Sequence, residues 1–134
     1  RGRTADAGIG TMTSNRGRVA CICFAKASAS GADAIIIDLE DSVAVDRKVA
    51  AREAAAEYLS GDRPVPVFVR VNPQDSHLTH DDLASVLPYV PDGIVLPKAE
   101  GARSVNWLRA EAAAVAAGAG AVAAEVTTVV DVVL

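Results

Sequence analysis

Three carboxylates stand within four positions of the segment A-I-I-I-D-L-E-D, at Asp38, Glu40 and Asp41. Clustering of this kind raises carboxylate pKa values by mutual repulsion unless a cation or hydrogen-bond donors lie near. The cluster therefore predicts a hydrogen-bonding shell around a metal ion or a substrate. The ordinary alternative, which the sequence leaves open, is that Asp41 caps a turn and Glu40 is solvated.

A guanidinium lies within a second apolar segment, P-V-F-V-R-V-N-P (Pro66 to Pro73). Alternation along a strand places Arg70 on the face opposite to Val69 and Val71. A strand inside a parallel sheet is covered on both faces, and an unpaired buried charge is very costly, so Arg70 needs an anion as its partner. We favour a bound carboxylic acid, because it matches the planar guanidinium fork. An internal carboxylate is the alternative.

Further charged residues lie in the loops. Lys98 and Glu100 follow a third apolar segment, G-I-V-L-P-K-A-E, and they either line the same edge of the sheet or form an ordinary exposed pair. His77 and His80 lie in a loop with two aspartates, which superficially resembles a metal site. We interpret that loop as solvated, because it is rich in Asp, Ser and Thr.

Three short apolar runs supply the strands that position these side chains: residues 34–39, 67–71 and 94–96. Their lack of polar alternation is typical of strands buried on both faces in a parallel sheet. Stretches with apolar residues at helical spacing follow each of them. Strict alternation of strand and helix predicts an α/β fold in which the three strands are parallel and adjacent in chain order.

Capping residues set the expected ends of the helices. Asp46 is the expected N-cap of the first helix, and Gly61 is its expected end. The acidic pair that ends at Asp82 favours the N-terminus of a second helix, which Pro88 terminates. Ser104 is the expected cap of a third helix.

Length and composition limit the fold and the partners. A complete (β/α)₈ barrel needs roughly 200 residues or more, so a chain of 134 residues holds either a small open α/β domain or part of a barrel. A net charge of −4 without a basic face argues against nucleic acid. No apolar run approaches the roughly 20 residues of a membrane helix. Cys21 and Cys23 have neither zinc-ribbon nor redox spacing, which favours reduced thiols and a cytoplasmic location.

Four motifs in register carry a family resemblance. They are G-A-D-A-I-I-I-D-L-E-D-S-V (Gly31 to Val43), Lys48 with A-A-R, V-R-V-N, and G-I-V-L-P-K-A-E. Together they resemble the HpcH/HpaI aldolase and citrate lyase β-subunit family over residues 24–112. The resemblance implies a TIM barrel, homo-oligomeric in intact relatives. It also implies an enzyme that uses Mg²⁺ to make or break a carbon–carbon bond in acyl-CoA or oxo-acid substrates such as citryl-CoA or malyl-CoA.

The resemblance also implies roles for individual residues. Arg70 matches the arginine that binds the substrate carboxylate, and Glu40 and Asp41 match catalytic acids that orient metal-bound water. Lys26, in F-A-K-A, matches a basic residue near the CoA phosphates. Lys98 lines the same substrate-binding mouth with a less defined role.

The two ends of the chain depart from the family pattern. The usual first strand and its loop are missing before Phe24, and neither direct metal carboxylate is recognisable, since Glu125 in A-E-V-T-T is a poor match. We therefore expect no direct metal ligand in the chain. The expected organisation is a poorly specified segment at 1–23, a partial (β/α)₈ TIM-barrel lyase domain at 24–112, and an Ala/Val-rich tail of uncertain structure at 113–134.

These departures predict a truncated or damaged lyase that is weak or inactive and self-associates. The more serious alternative is a non-catalytic remnant that keeps only carboxylate or CoA binding. A haloacid dehalogenase-type phosphotransferase also begins with an apolar strand and two acids. The second acid here is Glu40, however, and no Gly-Thr follows it.

Overall fold

A parallel β-sheet forms the framework of the protein in the computed structural model, which describes residues 31–119 and 127–130. Its four strands are β1 (Ile35–Asp38), β2 (Val67–Arg70), β3 (Gly93–Leu96) and β4 (Thr127–Val130). They lie in chain order, and each pairs in parallel with the next. The predicted order and direction of the first three strands are confirmed, and the α/β class with them.

Three α-helices follow the first three strands: α1 (Lys48–Ser60), α2 (Thr79–Val86) and α3 (Ala102–Gly118). Helix α3 crosses residue 112, where we expected the domain to end, and β4 lies in the segment expected to be an indistinct tail. The partial barrel stays a prediction. The expected segment at 1–23 lies outside the described residues.

The helix ends agree only in part with the expected caps. Gly61 is the C-cap of α1, but Asp46 lies in a separate 3₁₀ turn, and Arg47 precedes the helix without a side-chain cap. Gly101, at a φ of 83° that favours glycine, precedes α3. Ser104 lies inside the first turn, where its hydroxyl accepts the Glu100 amide at 2.9 Å. Neither predicted side chain is the N-cap, because α1 begins two residues after Asp46 and α3 begins two residues before Ser104.

One face of the sheet packs against all three helices. The buried core contains the alternate strand residues Ile37, Val69 and Leu96 together with one apolar stripe from each helix. These stripes are Ala54, Ala55 and Leu59 of α1, Leu83 and Val86 of α2, and Leu108 and Val115 of α3. Burying each large aliphatic side chain contributes roughly 1.5–3 kcal/mol, so this layer supplies most of the folding energy.

On the opposite face of the sheet, β1 and β2 are only partly covered. Ile36 is 60% exposed there, and Phe68, Asp38 and Arg70 are half-buried. The predicted separation of Arg70 from Val69 and Val71 is therefore confirmed. None of the helices in the described part of the chain is long and apolar enough to cross a bilayer.

A buried polar cluster joins helices α1 and α2 to the end of β2. Asp82 of α2 is fully buried, and its carboxylate accepts the Arg52 Nε at 2.7 Å. The same carboxylate accepts the backbone amide of Asn72 at 2.8 Å and the Asn72 side-chain amide at 2.7 Å. The sequence indicates Asp82 only as an acid near a helix N-terminus, and this role in the core was not predicted.

Replacing Asp82 with alanine should destabilise the protein by about 3–5 kcal/mol, because it leaves the Arg52 guanidinium and the Asn72 amides without their shared acceptor. Urea unfolding followed by circular dichroism measures the change. Asp81→Ala is the matched control, since Asp81 is exposed in the same helical turn and should cost only about 0.5 kcal/mol. Equal losses in the two variants would contradict a special role for the buried carboxylate.

Candidate active site

The candidate site lies where β1 and β2 end side by side. Asp38 and Arg70 are register partners at the last position of each strand. Arg70 donates from Nε to Asp38 Oδ1 at 3.0 Å and from Nη2 to Asp38 Oδ2 at 2.7 Å. This is the two-pronged geometry for which a guanidinium is suited. The anion that Arg70 needs is thus an internal carboxylate, so its burial alone no longer argues for a bound substrate.

Asp38 also shapes the loop that follows β1. Its carboxylate oxygens accept the backbone amides of Glu40 at 2.8 Å and Ser42 at 3.2 Å. Burial raises the pKa of Asp38, but the hydrogen bonds from Arg70 and from these two amides outweigh burial and hold the pKa below its usual value. Asp38 is therefore an ionised anchor for both Arg70 and the loop.

Glu40 is the buried acid of the site. Its side chain is 8% exposed, and its Oε1 lies 3.8 Å from the Arg70 Nε. Burial, followed by the charge of the hydrogen-bonded Asp41, raises the pKa of Glu40, against a weaker opposing effect of Arg70. Asp41 itself is exposed. Glu40 and Arg70 therefore lie close together, and Asp41 is linked to them through its contact with Glu40.

Lys48, which the sequence analysis did not assign to the site, binds the backbone of the loop that follows β1. Lys48, the first residue of α1, is only 9% exposed and donates from Nζ to the carbonyl oxygens of Leu39 at 2.8 Å and Glu40 at 2.7 Å. Burial lowers its pKa, and the charges of Asp82, Asp38 and Glu40 oppose that shift. A cation at a helix N-terminus is unfavourable, and this was the signal in the sequence that Lys48 serves another purpose.

The other predicted residues are less closely connected. Lys98 is exposed just after β3, in the left-handed region with a φ of 56°, and within residues 31–119 it forms no ion pair with the acids of the loop. His80 contacts Glu111 at 3.1 Å, and His77 is exposed. Lys26 and Glu125 lie outside the described residues.

The donor set of the site does not match a metal centre in the described ranges, 31–119 and 127–130, where no three His, Cys, Asp or Glu side chains are grouped to hold an ion. Asp38 is engaged by Arg70, and Glu40 lies against the same guanidinium. What the arrangement does offer is a fixed cation beside a buried acid of raised pKa. Such a pair can bind a carboxylate, and the raised pKa lets the acid keep its proton to a higher pH than an ordinary glutamate does.

Comparison with known protein families assigns the chain to one of them. A sequence model of the HpcH/HpaI aldolase/citrate lyase family matches residues 19–132. The chain belongs to this family. The resemblance seen in the four motifs is confirmed, and membership removes the support for a phosphotransferase.

Curated relatives share the central part of the chain. A citrate lyase subunit beta-like protein from Deinococcus radiodurans is 40% identical over 83 residues, which cover 58% of this chain and 29% of that protein. A (3S)-malyl-CoA thioesterase from Cereibacter sphaeroides is 39% identical over 84 residues, covering 60% and 29%. The citrate lyase subunit beta of Haemophilus influenzae is 40% identical over 75 residues, covering 54% and 26%. The matched stretch thus spans less than a third of these relatives.

Asp38→Asn should destabilise the protein at neutral pH by about 1.5–3 kcal/mol, because charged hydrogen bonds to Arg70 become neutral or are lost. The folded-state pKa of Asp38 is depressed, so its contribution is present above the unfolded pKa and is lost as pH falls through the folded value. Urea unfolding of both proteins should therefore show a gap at pH 7 that closes in strong acid. A gap that stays constant with pH would contradict the ionised anchor.

Glu40→Gln should stabilise the protein at neutral pH. The folded-state pKa of Glu40 is raised, so its ionisation costs stability as pH rises through the folded value, and glutamine removes that cost. The two proteins should be equally stable in acid, where Glu40 is protonated in both states. Glu53→Gln, at an exposed position of α1, is the control. Thermal melts at several pH values measure the effect. A Glu40→Gln protein less stable than the wild type at pH 7 would contradict the prediction.

Proposed function

We propose that this chain provides the substrate-carboxylate site of a carbon–carbon lyase that cleaves an acyl-CoA or oxo-acid substrate, with citryl-CoA and malyl-CoA as the first candidates. The observation that carries the proposal is the Arg70 guanidinium, fixed by Asp38 at the end of a parallel strand with Glu40 beside it. Family membership supports the reaction class, and the names of the relatives suggest the substrates.

Arg70 binds the carboxylate of the substrate in this proposal. Because Asp38 already fixes the plane of the guanidinium, little side-chain freedom remains to be lost when a ligand arrives. The substrate carboxylate is proposed to approach the guanidinium edge next to Glu40 while Asp38 keeps its two hydrogen bonds to Arg70.

Glu40 holds a proton in this proposal. Cleavage of the carbon–carbon bond leaves a carbanion or enolate on one product, and this product takes up a proton. Glu40 has the raised pKa that such a donor needs, and Asp41 helps to raise it. Lys98, exposed at the same edge, is proposed to contact the substrate from the β3 side, and Lys26 is proposed to contact its CoA portion.

The requirement for Mg²⁺ is a further part of the proposal and rests on the family resemblance. The proposed roles of Arg70 and Glu40 do not depend on a bound metal ion. Assays with added Mg²⁺ or with EDTA address the requirement directly.

Release of CoA and of an oxo acid from malyl-CoA and citryl-CoA, measured with Mg²⁺ and with EDTA, tests the lyase proposal. We expect weak or absent turnover from this chain together with measurable binding of oxalate, a stable mimic of an oxo acid. Binding without cleavage would favour the non-catalytic alternative. If the chain showed no turnover and also bound no oxalate, the proposal of a carboxylate site would be contradicted.

Arg70→Gln should weaken oxalate binding by about 10- to 100-fold, because losing charged hydrogen bonds costs about 1.5–3 kcal/mol. Isothermal titration calorimetry measures the affinity. Arg109→Gln removes an exposed guanidinium from α3, so it controls for the change in net charge. Equal affinities in the wild type and Arg70→Gln would place the ligand elsewhere.

A further inference from the structure

The acidic loop after β1 is held by two charged groups of opposite sign. Asp38 binds backbone amides of the loop, at Glu40 and Ser42, whereas Lys48 binds its carbonyl oxygens, at Leu39 and Glu40. Both N–H and C=O of Glu40 are therefore fixed by a charged side chain. This leaves the direction of the Glu40 side chain largely determined by its backbone.

The position of Lys48 is energetically unfavourable, and nothing in helix α1 compensates for it. Lys48 is a buried residue, only 9% exposed, and it lies at the end of the helix where a positive charge is unfavourable. Charge-assisted hydrogen bonds to two successive carbonyls compensate for that position. Since both acceptors belong to the loop, these hydrogen bonds stabilise the conformation of the loop.

The buried position of Glu40 is itself unfavourable. Its carboxyl group is buried near Asp41 and Asp38, and the Arg70 guanidinium at 3.8 Å offsets this only in part, so turning outward would relieve both burial and repulsion.

A short loop without a tether could make that turn by rotating its peptide groups. Lys48 opposes the rotation because both carbonyls are directed at one ammonium. It adds to the Asn72 side-chain amide on the Leu39 carbonyl and the Val43 amide on the Glu40 carbonyl.

We propose that Lys48 is a positioning residue, which holds the Glu40 carboxyl group against Arg70 by fixing the carbonyls of Leu39 and Glu40. A catalytic consequence of this positioning rests on the proposed function, in which Glu40 supplies a proton. Lys48 does not touch the substrate. It acts through the direction of Glu40.

Amide hydrogen exchange of Lys48→Met tests the structural half without any ligand. We expect the amides of Glu40, Ser42 and Val43 to exchange at least tenfold faster than in the wild type, while the amides of β3 keep their rates. Lys48→Arg, which retains charge and donors, should restore slow exchange. If Lys48→Met fails to fold, Lys48→Gln is measured in its place. Unchanged loop amides, or equal acceleration in β3, would overturn the proposal.

A double-mutant cycle tests the link to Glu40. Lys48→Met should weaken oxalate binding severalfold in the wild type but have little further effect in Glu40→Gln, because the lysine acts through that carboxyl group. Arg109→Met is the control for charge. Full additivity would overturn the link. If the wild type binds no oxalate, the proposed function fails, whereas the exchange result still decides whether Lys48 holds the loop.

Discussion

The hydrogen bonds of the buried Asp82 carboxylate join the helices to the strand ends that carry the candidate site. The carboxylate pairs with Arg52 of α1 and with both amide groups of Asn72, directly after β2. Asn72 in turn donates to the carbonyl of Leu39 at 3.0 Å, just past β1. One carboxylate therefore sets the distance between two helices and the ends of two strands. Arg70 and Glu40 occupy those same strand ends, so their separation follows from the cluster.

The site itself combines two acids that differ in how readily they ionise. Asp38 and Glu40 are two residues apart, yet the pKa of the first is lowered and that of the second is raised. Burial raises the pKa of both acids. The hydrogen bonds of Asp38 with Arg70 and two amides outweigh burial, whereas for Glu40 the neighbouring Asp41 adds to it and Arg70 opposes it only weakly. Neighbouring acids with separated pKa values are typical of sites that need one fixed anion and one proton carrier. A stable fold alone would not require Glu40 to be buried.

The sequence predicted the first three strands and the helical stripes from local periodicity, and the order of those strands from the alternation of strand and helix. It did not predict the partner of Arg70, although aligning I-I-I-D with V-F-V-R would have placed Asp38 opposite it. Asp82 and Lys48 were missed because their partners lie through space, across 30 residues for Asp82 and Arg52. Strand β4 was missed because an Ala-rich context hid a β-branched run, T-T-V-V, whose composition is typical of a strand.

The ion pair with Asp38 does not prevent Arg70 from binding a carboxylate ligand. It orders the guanidinium in advance. A guanidinium bound only by solvent would be flexible, and ordering it would reduce the affinity for a carboxylate ligand. Held by Asp38, it presents a rigid edge next to Glu40, and Asp38 is held in turn by loop amides that Lys48 keeps in place. The chain of contacts runs from helix α1 to the guanidinium through charged hydrogen bonds. Asp38 is therefore as much the scaffold of Arg70 as a member of the site.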